Sequence, residues 1–352
     1  MEELIQSILI TFLSMLVSLI FYLQHKFTLT YSFTHSIVGG SWLQNCNANS
    51  NSLLPIAKSL GLTLIPSDFS CPIFALKNKL DKNNEIALKM ITNAVVAVEI
   101  AAEKHVACGS DDIPFIRGLQ LMPGGFNAPH ELAALLDINA DSGLDFDQLS
   151  FQQALTEPGI GNGDFLIKEG YISILNHFHA VIKEFYGKEI VEFKSRVKAI
   201  DYASGSSVQL QLHDGNEIIP CDNCVCTVPV QVLKTQIDIT PPFPTHIQEA
   251  LDTIALGVCD KIILQFKTRW WPSCPDNNLL RWYNNDPNDP IMGVTDILDL
   301  TDIYSDIGLP TIVFFICGQQ NISQFYAEYP DEPAVVGYCC KILKEICHYN
   351  TR

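Results

Sequence analysis

Lys261 is the residue whose type and surroundings best suit chemistry. It opens the apolar run Ile262–Leu264, within a segment from Asp260 to Lys267 that alternates like a strand. An ammonium group that is withdrawn from water is energetically costly, so buried lysines are rare and commonly functional. The alternative is a lysine at a strand edge with its head group in solvent. The sequence favours a functional lysine and leaves the alternative open.

Cysteine is the second residue type that could carry chemistry here. Twelve cysteines are scattered along the chain, and the one dense group is Cys221, Cys224 and Cys226. A zinc site usually needs a second pair of ligands at a similar spacing, and His213 is the only candidate nearby. We therefore predict no metal site. The scattered cysteines indicate thiols in a reducing compartment rather than a disulfide framework.

Common phosphate-binding and hydrolytic motifs are missing from the chain. It contains no P-loop, no H-E-x-x-H, no G-x-S-x-G and no G-x-G-x-x-G. The nearest approach to a dinucleotide-binding turn is Gly159, Gly161 and Gly163, but Asp164 follows and no strand precedes it. The chain therefore lacks a cradle for the pyrophosphate of a dinucleotide.

Composition and charge narrow the classes of partner. The 352 residues are 47% hydrophobic and 17% charged, which is typical of globular protein. The formal net charge of -17 repels nucleic-acid phosphates, so we predict no nucleic-acid binding. The same charge attracts cationic ligands, and an amine or a polyamine has the matching sign.

Helices and strands alternate without internal repeats, so the sequence predicts a mixed α/β chain. The pattern predicts helices over 52–60, 81–107, 170–186, 247–256 and 331–347, and strands over 189–193, 195–202, 207–213, 216–220, 223–228, 260–267 and 311–318. The strand predicted over 260–267 carries Lys261.

The N-terminal segment raises the question of a membrane. Residues 4–24 contain no charged side chain and are just long enough for a helix that crosses a bilayer. The acidic pair Glu2 and Glu3 argues against a signal peptide. Residues 1–26 are therefore interpreted as a membrane anchor, with a buried helix as the alternative. The predicted localisation is the membrane, and otherwise the cytoplasm.

Four stretches occur in a recognisable order. They are Gly39–Trp42 with Ser52–Leu62, Gly163–Tyr171, Thr227–Lys234 with Pro241 and Pro242 behind it, and Leu256–Trp271. Together they resemble the flavin-dependent amine oxidases, in particular the polyamine-oxidase-like group, over about residues 38–347. The resemblance implies FAD as the cofactor, a cationic amine or polyamine as the substrate, and oxidation by hydride transfer with release of hydrogen peroxide.

The resemblance also implies roles for individual residues. Lys261 takes the position of the family's lysine that holds a water against the flavin N5. Trp270 and Trp271 are either walls of the substrate cleft or plain core. The residues expected at the cofactor are Gly40, Trp42, Val197, Val228 and Pro229, of which Val197 matches a position whose backbone meets adenine.

Departures from the family pattern keep other functions open. The family begins with G-x-G-x-x-G and closes with a second flavin-binding stretch, and this sequence contains neither. We expect an incomplete FAD-binding domain (27–70 and 189–235) interwoven with a substrate-binding domain (71–188 and 236–352), and weak binding of flavin. The alternatives are a non-catalytic remnant of an amine oxidase that acts as a binding protein, and an unrelated α/β binding protein.

Overall fold

The computed structural model describes residues 42–46, 51–67, 73–75, 85–121, 142–152, 163–213, 217–271, 279–283, 294–303 and 309–350. Gly40 and residues 4–24 lie outside this part of the chain. Among the described residues, no helix is both long enough and apolar enough to cross a membrane. This finding corrects the membrane localisation predicted from residues 4–24, which is withdrawn.

The described residues form a mixed α/β fold, as the sequence predicts. The strands are β1 (Trp42–Leu43), β2 (Leu64–Ser67), β3 (Ile73–Ala75), β4 (Asp164–Ile167), β5 (Val197–Asp201), β6 (Val208–Leu212), β7 (Ile218–Cys221), β8 (Asp238–Thr240), β9 (Cys259–Gln265), β10 (Leu279–Tyr283), β11 (Val294–Asp299) and β12 (Thr311–Cys317). The helices are α1 (Leu54–Ser59), α2 (Glu85–Ala107), α3 (Phe115–Gln120), α4 (Ile172–Tyr186), α5 (Val230–Gln236), α6 (Thr245–Thr253), α7 (Gln319–Glu328) and α8 (Glu332–Asn350).

The chain divides into two compact units. The first comprises residues 1–41, 55–62 and 169–255, and the second comprises 42–54, 63–168 and 256–352. In the first unit, β7, β6, β5 and β8 form a four-stranded sheet in that order, accompanied by α4, α5 and α6. The predicted assignment of cofactor and substrate domains to particular residue ranges stays a prediction.

The second unit contains a five-stranded sheet in the order β3-β10-β11-β12-β9 and a three-stranded sheet in the order β1-β4-β2. Its longest pairing joins β12 and β9 antiparallel, from Thr311 opposite Gln265 to Cys317 opposite Cys259. Successive side chains of a strand point to opposite faces, so each of the two strands contributes side chains to both faces of the sheet.

One face of the five-stranded sheet is covered by α7 and α8, and we call it the helix face. The side chains from β9, β11 and β12 that pack there include Ile262, Leu264, Ile297, Ile312, Phe314 and Ile316. Helix α8 contributes Tyr338, Ile342 and Leu343 to the same apolar cluster. Its start is fixed by Asp331, whose side chain accepts a hydrogen bond from the backbone N–H of Ala334 at 2.9 Å. This packed layer holds β9 and β12 in place.

The opposite face of the same sheet, which we call the lysine face, receives the alternate residues. On β9 these are Cys259, Lys261 and Ile263, and opposite them on β12 lie Cys317, Phe315 and Val313. The approach to β9 depends on Gly257, because a Cβ atom there would overlap the carbonyl oxygen of Ser142. The backbone N–H of Val258 donates to the Gly143 carbonyl at 2.8 Å, which fastens the same loop to the start of β9.

Candidate functional site on the lysine face

Lys261 lies in the middle of β9 and is partly buried rather than extended into solvent. Its Nζ is 5.3 Å from the centroid of the Phe315 ring, which belongs to the residue directly opposite on β12. This distance is within the range of a cation–π interaction. On the other side of β12, Asp296 of β11 is the residue directly opposite Phe315. Lys261, Phe315 and Asp296 therefore occupy neighbouring positions on three adjacent strands.

Burial changes the acid–base behaviour of Lys261. Desolvation lowers its pKa below the ordinary 10.5, and the nearby thiol of Cys259 opposes this shift. An amine with a lowered pKa exchanges its proton with bound water or ligand more readily than a lysine in solvent does. The ammonium form of Lys261 is therefore less stable than that of a lysine in solvent.

Trp42 covers the same part of the sheet from β1. Its ring lies 6.3 Å from that of Phe315, with the two planes tilted by 53°. The indole N–H donates to the hydroxyl of Ser67 on β2 at 2.7 Å, which fixes the orientation of the ring. The structure thus brings two of the predicted site residues, Trp42 and Lys261, to one aromatic ring. Phe315 itself was missed, because an apolar strand gives no sign of which residue will face the lysine.

Trp271 lies elsewhere. It is buried in the cluster of the helix face, with its ring 4.8 Å from that of Phe266, while the neighbouring Trp270 is 41% exposed. The Trp271 indole donates to the carboxylate of Asp299 at 2.9 Å. The structure does not bring this tryptophan pair to Lys261, and their role at a substrate cleft stays a prediction.

Asp299 organises the segment that follows β9. Its side chain is 3% exposed and accepts a 2.7 Å ion-paired hydrogen bond from Arg269. Arg269 also donates to both carboxylate oxygens of the exposed Asp302 at 2.9 Å. A buried carboxylate with a charged partner and an indole donor is satisfied, and its role here is to hold Trp271 in the core. No local pattern predicts this network, since its members are 28 to 33 residues apart.

The residues predicted at the adenine end of the cofactor are in the other compact unit. Val197 begins β5 and pairs with Leu212, next to an irregularity in the strand register. Val228 and Pro229 lie directly before α5, and Pro229 occupies its N-cap position. All three are partly buried. Their role as cofactor-binding residues stays a prediction, and Gly40 lies outside the described residues.

Two thiols of the cysteine group in this unit have raised pKa values. Desolvation raises the pKa of Cys224 to about 11 and also raises that of Cys221, so these thiols stay protonated. Within the described residues no cluster of three or more histidine, cysteine or acidic side chains could hold a metal ion.

Comparison with known proteins settles the family. Residues 120–346, well over half of the chain, match the model of the flavin containing amine oxidoreductases. The chain belongs to this family. This amine oxidoreductase chain is similar to polyamine oxidase 4 of Oryza sativa subsp. japonica, with 24% identity over 266 residues that cover 69% of the chain and 52% of that protein. It is also 26% identical to lysine-specific histone demethylase 1 homolog 1 of Arabidopsis thaliana, over 66% of the chain and 28% of that protein.

Solved structures agree on the fold. Cyclohexylamine oxidase from Brevibacterium oxydans IH-35A matches with a TM-score of 0.61 and 17% identity, over 86% of this chain and 69% of that one. A putrescine oxidase variant matches with a TM-score of 0.58 and 16% identity, over 82% and 66%. The chain spans between a fifth and about half of the length of the first curated relatives that it matches.

Membership of the family implies FAD as the cofactor, and the described residues suit one end of it. A partly buried ammonium against the Phe315 ring, which in turn lies near Trp42, has a chemistry that fits the edge of an isoalloxazine, which is planar, apolar on its faces and rich in acceptors on its rim. The sequence offers no G-x-G-x-x-G for the pyrophosphate. The role of Lys261 and Trp42 at the ring end of the cofactor stays a prediction.

Proposed function

We propose that this chain forms the ring-binding part of a flavin-dependent oxidase that acts on a cationic amine of the polyamine type. When bound, FAD would accept a hydride from the carbon beside the amine nitrogen, and reoxidation by oxygen would release hydrogen peroxide. The observation that carries the proposal is the placement of Lys261 and Trp42 on the same Phe315 ring. The acidic net charge supports a cationic substrate.

In this proposal Lys261 acts by holding a water or a proton. The strand fixes its backbone, the Phe315 ring lies against its ammonium group, and burial lowers its pKa. Each of these features limits the positions that the head group can take, so a water bound to it is held at one place. Trp42 excludes bulk water from the same face, and its hydrogen bond to Ser67 keeps the ring from turning away.

The test combines a flavin titration with an amine assay. The full chain is mixed with FAD, its visible spectrum is recorded, and bleaching is followed without oxygen after addition of putrescine, spermidine or cyclohexylamine. We expect one of these amines to bleach the flavin and, in air, to produce hydrogen peroxide. Absence of bleaching with a chain that binds FAD would refute the oxidase function.

A matched pair of variants separates the site lysine from its surroundings. Lys261→Met keeps the length of the side chain and removes the ammonium group, and we expect it to slow peroxide formation by at least about tenfold. Lys267→Met makes the same change at an exposed position just beyond the same strand and is expected to leave the rate unchanged. Equal effects of the two changes would remove Lys261 from the mechanism.

A non-catalytic binding protein is the second candidate, and the net charge of -17 favours it, because that charge attracts polyamines without any flavin. This candidate predicts that the spectrum of FAD stays that of the free cofactor at every concentration of the chain. It also predicts binding of polyamines that depends on salt but not on flavin, because acidic surface charge would be the source of the affinity.

A further inference from the structure

Cys259 and Cys317 meet on the lysine face at the end of the strand pair that carries Lys261. The two residues are direct partners in the register of β9 and β12. The next pair along, Gly318 and Val258, is hydrogen-bonded through the Gly318 N–H and the Val258 carbonyl at 2.9 Å. Since hydrogen-bonded and non-hydrogen-bonded pairs alternate, the two cysteines form a non-hydrogen-bonded pair, in which Cα atoms are only about 4.5 Å apart.

This geometry suits a covalent bond between the two sulfur atoms. The Cys317 thiol donates to the Cys259 sulfur, and the two Sγ atoms are 3.1 Å apart. A disulfide needs Cα atoms about 4.4–6.8 Å apart and a sulfur separation of about 2.0 Å, so a small rotation of both side chains is sufficient. The antiparallel ladder already fixes the backbone distance, so the strands need not move.

The electrostatic surroundings activate one of the two thiols. The hydrogen bond from Cys317 lowers the pKa of Cys259, burial and the neighbouring acids Asp260 and Asp296 oppose this, and Lys261 assists it. Cys259 is partly exposed, whereas Cys317 is 6% exposed. The accessible thiol is thus the one with the lowered pKa, and the buried thiol is positioned behind it as a resolving partner.

We propose that Cys259 and Cys317 form a reversible redox pair that hydrogen peroxide converts to a disulfide across β9 and β12. The Cys259 thiolate attacks one oxygen of the peroxide, an S–O bond forms, the O–O bond breaks, and the hydroxide leaves as water after protonation. The Cys317 sulfur then attacks the Cys259 sulfenic acid, the S–S bond forms, the S–O bond breaks, and a second water leaves with the Cys317 proton. Two thiols are oxidised and one peroxide is reduced to two waters.

The pair needs only peroxide, from any source, so it does not depend on the proposed oxidase activity. If the chain does produce peroxide at the lysine face, the oxidant arises two residues from Cys259. The resulting disulfide would join β9 and β12, the strands that carry Lys261 and Phe315. It would also remove the thiol that raises the pKa of Lys261. The oxidised protein would then hold a lysine with a still lower pKa.

The experiment adds a small molar excess of hydrogen peroxide to the purified, reduced full chain without flavin. Peptides are then mapped by mass spectrometry after alkylation, without a reducing agent. We expect a linked peptide that contains Cys259 and Cys317, with a loss of two thiols that dithiothreitol restores. The matched control cysteine is Cys339, which is buried and whose pKa burial raises to about 12, and it should react at least about tenfold more slowly.

Two variants test the order of the steps. In Cys317→Ser, Cys259 should accumulate as a sulfenic acid that dimedone traps, while Cys259→Ser should leave Cys317 unmodified. A peroxide dose that oxidises the exposed Cys108 but leaves the Cys259–Cys317 peptide unlinked in the wild-type chain would overturn the proposal. That measurement uses the wild-type chain, so it tests the redox pair even if a variant misfolds. A negative result in the amine assay does not bear on the redox pair, because the peroxide is added from outside.

Discussion

The two faces of the five-stranded sheet are made by the same strands but differ in what their side chains do. On the helix face, Phe314 is 1% exposed and packs in a cluster with residues of α7 and α8. On the lysine face, its neighbour Phe315 is partly buried and lies between Trp42, Lys261 and the row that contains Asp296. One face contains close-packed apolar side chains, and the other contains an amine, thiols and aromatic rings.

This difference shows how the strand separates stability from chemistry. Successive side chains of a strand point to opposite faces, so a single residue step moves from the core to the site. The helix face contains the apolar cluster with α7 and α8, while the lysine face contains groups that are costly to desolvate. Each of the following changes tests this separation.

The largest effect is expected from truncating the aromatic residues of β12 one at a time. Phe314→Ala should lower the free energy of unfolding by about 3–5 kcal/mol, because it leaves a cavity in a closed cluster. Phe315→Ala should lower the free energy of unfolding by roughly half as much. It should instead abolish the bleaching of added FAD by amines. Urea unfolding followed by circular dichroism measures both, and equal losses would mean that the two faces contribute alike.

A second effect concerns the charged group of the helix face. Asp299→Asn should lower the free energy of unfolding by about 2–3 kcal/mol, because the partly buried Arg269 and the Trp271 indole lose an ionised acceptor. Asp302→Asn alters the other partner of Arg269, which is 59% exposed, and should cost less than about 1 kcal/mol. If thermal melting shows that Asp299→Asn and Asp302→Asn lose similar stability, the Arg269–Asp299 network does not hold Trp271 in the core.

The third prediction uses pH. The folded-state pKa of Lys261 is below its ordinary 10.5, so the unfolded chain binds the proton more strongly. The stability of the wild-type chain relative to Lys261→Met should therefore rise with pH between the lowered pKa and 10.5. Melting temperatures of the two proteins from pH 7 to pH 10 give the difference. Parallel pH curves for the wild-type chain and Lys261→Met would place the Lys261 ammonium in solvent. The control Lys267→Met should give a curve parallel to that of the wild-type chain in any case.

The smallest effect is expected at the edge of the lysine face. Trp42→Phe removes the hydrogen bond from the indole to Ser67 and should cost about 1 kcal/mol, as should Ser67→Ala. The double variant should cost less than the sum of the two, because both single changes remove the same bond. Additive costs, measured by chemical unfolding, would indicate that this hydrogen bond does not orient Trp42.

The sequence predicts the long elements with clear periods. Helices 81–107, 170–186 and 331–347 correspond to α2, α4 and α8, and strands 260–267 and 311–318 correspond to β9 and β12. Strands predicted over 189–193 and 223–228 are wrong, since both segments lack strand pairing. Their residues are apolar enough for a strand, but a strand also needs a neighbour with free backbone groups, and no local pattern reveals that.

The sequence by itself determined the family, the mixed α/β class and the placement of Lys261 on a buried strand, because these follow from local order and alternation. Only the tertiary structure decided which groups meet Lys261. Phe315 and Cys317 come from a strand more than fifty residues away, and one step of register would exchange them for core residues. Likewise, Trp271 lies in the core, where Asp299 accepts a hydrogen bond from its indole. Register and hydrogen-bond partners are relations between distant segments, which a linear pattern does not contain.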